Sequence, residues 1–373
     1  MSRSKLAIYW AIALVLLLTT WWVTSRDQTE QAKLTELQLG DTLLPDIDGN
    51  SITSITLTSP AETVNLVQKG QTWTVTERDG YPAQNKPIFS GLRQLANLTV
   101  VQAVETSPDQ WGRFGLDPAQ WPTPAEGSAT EKGSPFRLTL KNSSGDVAGE
   151  LIIGNATSIG GAGSVGGRFV RRTGDDSGVY IVDDPFSVWS FYPGYWIDPG
   201  LIRLASPMRI EFSAPNEPQV RPWVLQRNSL QDILRLKDKK VTERLNPDAI
   251  APLGSLFQPL TVREVFSETQ TQKVYDRSKE RIIVIDTSHG VRMTLRIAPT
   301  GEIRPGRDPD LYLMKVAFEK SPLYNSDKAE AALERMKPAH GKVFIVGRVA
   351  LSPVNRPRRS FFEKPREINP GQR

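Results

Sequence analysis

The residues that could do chemistry are few in this chain and lie mostly in turns. A glycine pattern of the dinucleotide-binding type, G-x-G-x-x-G, occupies residues 161–166, and Asp183 follows downstream. A dinucleotide site needs these glycines to follow a strand and to open a helix whose amides bind the pyrophosphate. Here Gly167 leads into strand-like sequence at residues 168–170. We therefore predict a hairpin connection and no cofactor.

The sequence contains few of the cysteine and histidine residues that bind metals or act as nucleophiles. The sequence contains no cysteine and two histidines, His289 and His340, neither at the spacing of a zinc motif or a catalytic triad. Residues 46–50 resemble the start of a calcium loop but lack the glycine at position six and the glutamate at position twelve. The sequence predicts no catalytic site, no metal site and a protein that is not an enzyme.

A dense aromatic cluster surrounds Pro193 and Gly194. It can be interpreted in two ways: as packing between two modules, or as a docking surface for a membrane protein or a glycan, since tyrosine and tryptophan are frequent in both settings. Packing is the preferred interpretation. The residues that form the candidate partner-binding surface are Trp189, Phe191, Tyr192, Tyr195 and Trp196.

An uncharged apolar run at residues 6–23 predicts a membrane anchor. Its 18 residues would form a helix about 27 Å long, close to the hydrocarbon thickness of a bilayer of about 30 Å. Arg3 and Lys5 precede it, which keeps the N-terminus in the cytoplasm. We predict a single-pass inner-membrane protein whose bulk is periplasmic. A cleaved signal peptide is the alternative, although no A-x-A-like site follows the run.

Composition indicates a globular body that carries excess positive charge. The chain has 373 residues, 39% hydrophobic and 23% charged, which suits two domains better than one core. The formal charge is +5 and the pI is near 9.3. For an exported domain, this charge favours anionic lipid or cell-wall polymer as a partner and argues against nucleic acid.

The order of predicted elements repeats along the chain. Strands, a helix, a return strand and a hairpin occur before residue 204 and again after it, and such long-period recurrence is typical of a repeated module. We predict an α+β fold: an N-terminal transmembrane helix, then two tandem duplicated antiparallel-sheet modules, each with a helix packed on one face. The predicted domains are an anchor at 1–24, a juxtamembrane stalk at 25–50, modules at 51–204 and 205–351, and a disordered basic tail at 352–373.

Several short motifs resemble one known family. They are Trp73, the run Arg78-Asp79-Gly80-Tyr81-Pro82-Ala83, the helical pair Leu92 and Leu95, Phe114-Gly115-Leu116-Asp117-Pro118, Leu151-Ile152-Ile153-Gly154, and Arg168-Phe169-Val170-Arg171 leading to Val179-Tyr180. On these residues the chain resembles the domain-of-unknown-function family 4340, membrane-anchored proteins found beside gliding-motility-type ABC exporters. The family commonly has an acid after Tyr-Pro-Ala, where this chain has Gln84.

The resemblance implies a role beside a transporter and carries no catalytic residues. We therefore expect a non-enzymatic periplasmic accessory subunit of an ABC-type export or gliding-type transport system that acts by docking on a permease or another inner-membrane protein. An envelope module that binds glycan or peptidoglycan is the first alternative. A periplasmic hydrolase built on paired carboxylates is the second.

Overall fold

A computed structural model describes most of the chain beyond the N-terminal segment. The described residues are 37–45, 47–123, 133–158, 166–173, 178–241, 243–266, 277–300 and 310–362. The predicted membrane span at 6–23 lies outside them, as do most of the glycine motif and the end of the tail. Among the described helices, none has the length and apolar character needed to cross a membrane.

The described residues form two antiparallel sheets and a few helices. The first sheet contains β1 Ile52–Thr58, β2 Thr63–Lys69, β3 Thr72–Val75, β4 Tyr81–Pro82, β5 Val100–Val104, β6 Phe136–Asn142, β7 Val147–Ser158, β8 Gly166–Arg172 and β9 Val179–Val182. The second contains β10 Pro207–Ser213, β11 Trp223–Gln226, β12 Arg235–Leu236, β13 Glu264–Phe266, β14 Arg281–Thr287, β15 Val291–Pro299, β16 Leu311–Lys320 and β17 Val343–Gly347. The α-helices are α1 Asn85–Ala96, α2 Pro193–Trp196, α3 Pro247–Ile250, α4 Ala329–Met336 and α5 Arg348–Leu351. This architecture confirms the predicted α+β class with antiparallel sheets.

The two sheets share one strand order. The first runs β4-β3-β2-β1-β6-β7-β8-β9-β5, and the second runs β12-β11-β10-β14-β15-β16-β17-β13. Apart from β4, each strand of the first sheet has a counterpart at the same place in the second. The pairing of β1 with β6 shifts register between Ile52 and Ser54, and that of β10 with β14 shifts between Pro207 and Arg209. The irregularity therefore recurs at the start of the corresponding strand.

Packing divides the chain into two compact units. The first comprises 1–69 and 85–191, and the second comprises 70–84 and 192–373. The segment 70–84, which contains β3 and β4, thus packs with a part of the chain that is distant in sequence. The predicted module bounds, 51–204 and 205–351, describe a sequence repeat rather than packing, and they stay a prediction.

The first unit places α1 against its core through one apolar face. Ile88, Leu92 and Leu95 are buried at helical spacing. A side chain at Gly91 would overlap the indole of Trp189, so glycine here permits close packing of the helix. Helix α1 contains Leu92 and Leu95, the pair that the sequence placed on a helix.

Part of the predicted stalk belongs to the folded first unit. Leu43 is fully buried and Leu44 nearly so. The amide of Gly40 donates to the carbonyl of Val100 at 2.8 Å, and the amide of Leu43 donates to that of Leu98 at 2.7 Å. Two buried leucines and these backbone hydrogen bonds therefore anchor residues 37–45 next to β5.

The longest helix described in the second unit is α4. Helix α4 packs on β15 and β16 and buries Ala329, Ala332 and Met336. The helix that follows Asn246 is a single turn, α3, continued by a 3-10 turn at Ala251–Ser255. Pro252 within that stretch cannot donate the backbone hydrogen bond that a longer α-helix needs.

The beginning of the predicted disordered tail is folded in the second unit. Val354 and Phe361 are fully buried, and the ring of Phe361 meets that of Trp223 edge-on at 4.8 Å between centroids. Arg358 forms an ion pair with Glu243 at 2.8 Å. The proline-rich, basic composition predicted disorder from residue 352. The correction applies as far as Phe362, because two apolar side chains and one ion pair fix this segment.

Candidate functional site

A buried ion pair lies at the centre of the candidate site in the second unit. Arg78 follows β3 in a 3-10 turn, Thr76–Arg78, and Glu264 opens β13. Arg78 Nε donates to Glu264 Oε1 at 2.8 Å, and Nη2 donates to Oε2 at 3.0 Å. The two side chains are 11% and 6% exposed. This two-point geometry fixes the planes of both groups and joins residues 186 positions apart.

The electrostatic balance of this pair favours the charged form of Arg78. Burial alone lowers the pKa of Arg78, but the hydrogen bonds and the charge of Glu264 outweigh burial and raise it. The carboxylate also accepts from the backbone amide of Val265 at 2.8 Å, through Oε1. A buried charge pair needs such extra hydrogen bonds to offset its desolvation.

The left-handed turn after Arg78 accounts for the residue types at positions 79 and 80. Asp79 has φ 52° and Gly80 has φ 68°, two successive left-handed residues. Glycine adopts this conformation without strain, and aspartate tolerates it better than most residues. Asp79 Oδ2 accepts from Lys342 Nζ at 2.9 Å, immediately before β17. The run therefore reaches two separate strands of the second unit, β13 and β17.

Tyr192 extends the ion pair toward the surface. Its hydroxyl hydrogen-bonds to Glu264, while the residue as a whole is 53% exposed. Burial, with the hydrogen bond to Glu264 and its charge, raises the pKa of Tyr192 to about 12. The phenol is therefore protonated at neutral pH and unsuited to act as a base there. A side chain at Gly194 would overlap both Tyr192 and the Glu264 carboxylate, so glycine is required.

Ala83 and Gln84, at the end of the run that begins at Arg78, position the backbone of Tyr195 and Trp196. Gln84 donates through its backbone amide to the carbonyl of Trp196 at 2.7 Å and through its side chain to that of Tyr195. Ala83 forms an isolated bridge with Ile197. Trp196 is fully buried, and Tyr195 is 38% exposed. Gln84, which departs from the family pattern, thus holds backbone beside the aromatic residues.

The five predicted aromatic residues separate into two groups. Trp189 and Phe191 belong to the first unit, where Trp189 is buried and Phe191 meets Phe136 edge-on at 5.3 Å between centroids. Tyr192, Tyr195 and Trp196 belong to the second unit. We call the two exposed members, Tyr192 and Tyr195, the tyrosine platform. Buried packing accounts for Trp189 and Trp196, whereas the platform has the exposure that binding needs.

The remaining candidate chemistry lies in turns, as the sequence predicted. Gly290 has φ 71° beside His289 at a hairpin tip, and His340 Nδ1 accepts from the amide of Phe318 at 3.1 Å. Burial raises the pKa of Asp184, whose carboxylate accepts the amide of Phe186 in a turn. No cluster of metal-ligating side chains occurs among the described residues.

Sequence reasoning missed Glu264 and Lys342, the partners of the Arg-Asp run. Both lie far along the chain from residues 78 and 79, and no local pattern marks either of them. The repeated strand order does not predict these partners either. It places β3 and β4 in the first sheet, whereas segment 70–84 packs with the second unit.

Comparison with known proteins adds one finding. A family model described as "Domain of unknown function (DUF4340)" matches residues 73–279, more than half of the chain. The matched region includes Arg78, the tyrosine platform and Glu264. No curated protein and no solved structure gives a significant match.

Proposed function

The chain belongs to the DUF4340 family, and from that premise we propose that it acts as a non-enzymatic accessory subunit of an ABC-type export or gliding-type transport system. In this proposal the N-terminal run at 6–23 anchors it in the inner membrane, and the periplasmic body docks on a permease through the tyrosine platform.

The exposure of Tyr192 and Tyr195 on a rigid support carries this proposal. Tyrosine is a frequent hot-spot residue because a large ring binds at low cost in side-chain entropy. Here the Tyr192 hydroxyl is held by Glu264, and the backbone at Tyr195 is held by Gln84. Pre-organisation of this kind lowers the entropy that is lost on binding.

The repeated strand order supports a further part of the proposal. Two sheets with the same order and the same irregularity at the first strand are what duplication of one module produces. We treat the chain as two copies of a sheet module, with the platform in the segment between β9 and β10 that connects them. A repeated scaffold with a specialised connection suits a docking protein.

Photo-crosslinking in intact membranes tests the docking role. A photoreactive amino acid at position 192 or 195 should crosslink to an ABC-type permease subunit identified by mass spectrometry. Leu323 is the matched control, because it is 55% exposed in the same unit and lies in the loop between β16 and α4. Equal crosslinking from position 323, or none to any permease from 192 and 195, would refute the proposal.

A glycan-binding role is the alternative that the same observation favours, since exposed tyrosine rings also stack on sugars. Co-sedimentation with purified peptidoglycan separates the two roles. Binding to peptidoglycan that is lost in Tyr192→Ala and Tyr195→Ala but kept in Leu323→Ala would favour the glycan-binding module over the transporter subunit.

A further inference from the structure

The hairpin between β11 and β12 differs from its counterpart in the first sheet. Strands β2 and β3 are joined by two residues, Gly70 and Gln71, whereas β11 and β12 are joined by the eight residues 227–234. The shared strand order shows that the fold does not need this length. We call residues 227–237 the extended hairpin.

The extended hairpin is fixed at its base and apolar at its surface. Leu234 and Leu236 are buried and anchor it to the second unit, while Leu230 is 50% and Ile233 is 68% exposed. A turn closed by Asp232, whose Oδ2 accepts the amide and hydroxyl of Ser229, holds its tip. Two exposed aliphatic side chains on a braced loop are unusual where a two-residue turn would suffice.

Basic side chains surround a small pocket at this hairpin. The pocket has a volume of about 290 Å³, and Arg227, Arg235, Lys237, Asp232 and Ile233 are among its lining residues. The lining thus includes three cationic side chains and one carboxylate, and that carboxylate already accepts two hydrogen bonds from Ser229. The balance of charge favours an anion.

Arg227 lies beside the pocket in a fixed orientation. Its Nε donates to the carbonyl of Pro207 at 2.8 Å, and its Nη1 donates to that of Leu230 at 3.4 Å. Its Nη2 is buried and has no hydrogen-bond partner among the described residues. Burial lowers the pKa of Arg227, and the charge of Asp232 only partly opposes this effect. A nearby anion would stabilise the charge of Arg227.

We propose that the extended hairpin binds the surface of an anionic phospholipid bilayer, with the phosphate of a headgroup at the basic pocket and Leu230 and Ile233 inserted beside it. Apolar side chains next to basic ones are the combination that binds an anionic membrane interface. Each basic residue near such a surface contributes about a fivefold gain in affinity, and less at high salt. This surface is separate from the tyrosine platform and does not depend on docking to a permease.

Hydrogen exchange of the full chain with lipid nanodiscs tests the proposal. Peptides covering residues 227–237 should exchange several-fold more slowly with phosphatidylcholine discs that contain phosphatidylglycerol than with pure phosphatidylcholine discs. Raising the salt concentration should reduce the difference. Equal exchange in the two lipids would overturn the proposal.

Matched variants identify the residues responsible. Ile233→Ser and the double variant Arg235→Glu with Lys237→Glu should abolish the difference between lipids. Leu323→Ser and Lys328→Glu, exposed positions of the same unit, should keep it. Unchanged exchange in β14 verifies that each variant is folded.

Two results would count against a lipid surface. Retention of the full lipid difference in the Arg235→Glu, Lys237→Glu variant would overturn it. Equal slowing by inorganic phosphate without anionic lipid would place a free anion in the pocket instead. Neither result affects crosslinking from Tyr192 or Tyr195, so this proposal and the docking proposal can fail separately.

Discussion

The two sheets share one strand order, but the two units satisfy their buried arginines differently. In the first unit, Arg168 is 3% exposed and donates to the carbonyls of Gly154 and Ser134. Burial lowers its pKa to about 10. In the second, Arg78 has the carboxylate of Glu264, and its pKa is raised. The shared strand order therefore comes from the apolar pattern, while the polar chemistry is particular to each unit.

The two buried arginines also differ in how far along the chain their partners lie. Arg168 binds carbonyls 14 and 34 positions away. Arg78 binds a residue 186 positions away, and Lys342 binds Asp79 across 263 positions. Charge pairs with residues distant in sequence thus help to hold segment 70–84 in the second unit. The following changes test that contrast.

Arg78→Ala should give the largest effect. It leaves the buried Glu264 carboxylate without its guanidinium, and breaking a buried ion pair costs about 3–5 kcal/mol. We expect this loss in the unfolding free energy of the second unit, measured by hydrogen exchange of β13 and β17 in urea. Replacing both partners, with Arg78→Met and Glu264→Leu, should cost less than Arg78→Ala alone. A double variant as unstable as the single one would show that the charges are not coupled.

Arg168→Met should destabilise the first unit by a smaller amount. It keeps most of the side-chain volume but leaves the Gly154 and Ser134 carbonyls without their donor, a cost of about 1–3 kcal/mol. Exchange in β7 and β8 should report the loss, while β13 and β17 remain unchanged. Since no carboxylate is stranded, a loss as large as that of Arg78→Ala would contradict the comparison.

The Glu243–Arg358 pair should give an acid-dependent effect confined to the second unit. Hydrogen bonds from Arg358 and from the amide of Lys240 lower the pKa of Glu243 to about 2. A carboxyl whose pKa is lowered by folding stabilises the fold above its unfolded pKa of about 4.3, and this contribution is lost as pH falls through about 2. Exchange in residues 352–362 should therefore accelerate over that range, and less so in Glu243→Gln.

Much of the fold could be predicted from local pattern, since alternation such as that of Ile55 and Leu57 fixes a strand within a few residues. The hairpins formed by β6 with β7 and by β14 with β15 follow from the same signal. What could not be predicted depends on distant partners. The sequence around Leu43 does not show that this leucine is buried, because the residues it packs near belong to a later part of the chain. The order of residues 352–362 likewise depends on the contact of Phe361 with Trp223, which is distant in sequence.

The candidate site could be predicted only in part, for the same reason. The aromatic cluster was visible because its residues are adjacent in sequence, but exposure divides it, and only Tyr192 and Tyr195 face solvent among the second-unit members. Glu264 is one acidic residue among 41 aspartates and glutamates, and nothing local distinguishes it. The extended hairpin was likewise not recognised, because its length has meaning only beside the two-residue turn of the first sheet.

Tyr81→Phe should give the smallest effect and the opposite sign. Tyr81 is 1% exposed, its ring meets Phe344 edge-on at 5.8 Å between centroids, and its hydroxyl has no hydrogen-bond partner among the described residues. Burial of the hydroxyl raises the pKa of Tyr81. Removing a buried, unpaired hydroxyl while keeping the ring should stabilise the second unit by about 1 kcal/mol. Tyr81→Leu is the control, because it removes the hydroxyl and the ring together and should destabilise the same strands. If Tyr81→Phe also accelerates exchange in β17, the hydroxyl does contribute to holding segment 70–84 in the second unit, and the expected gain in stability is wrong.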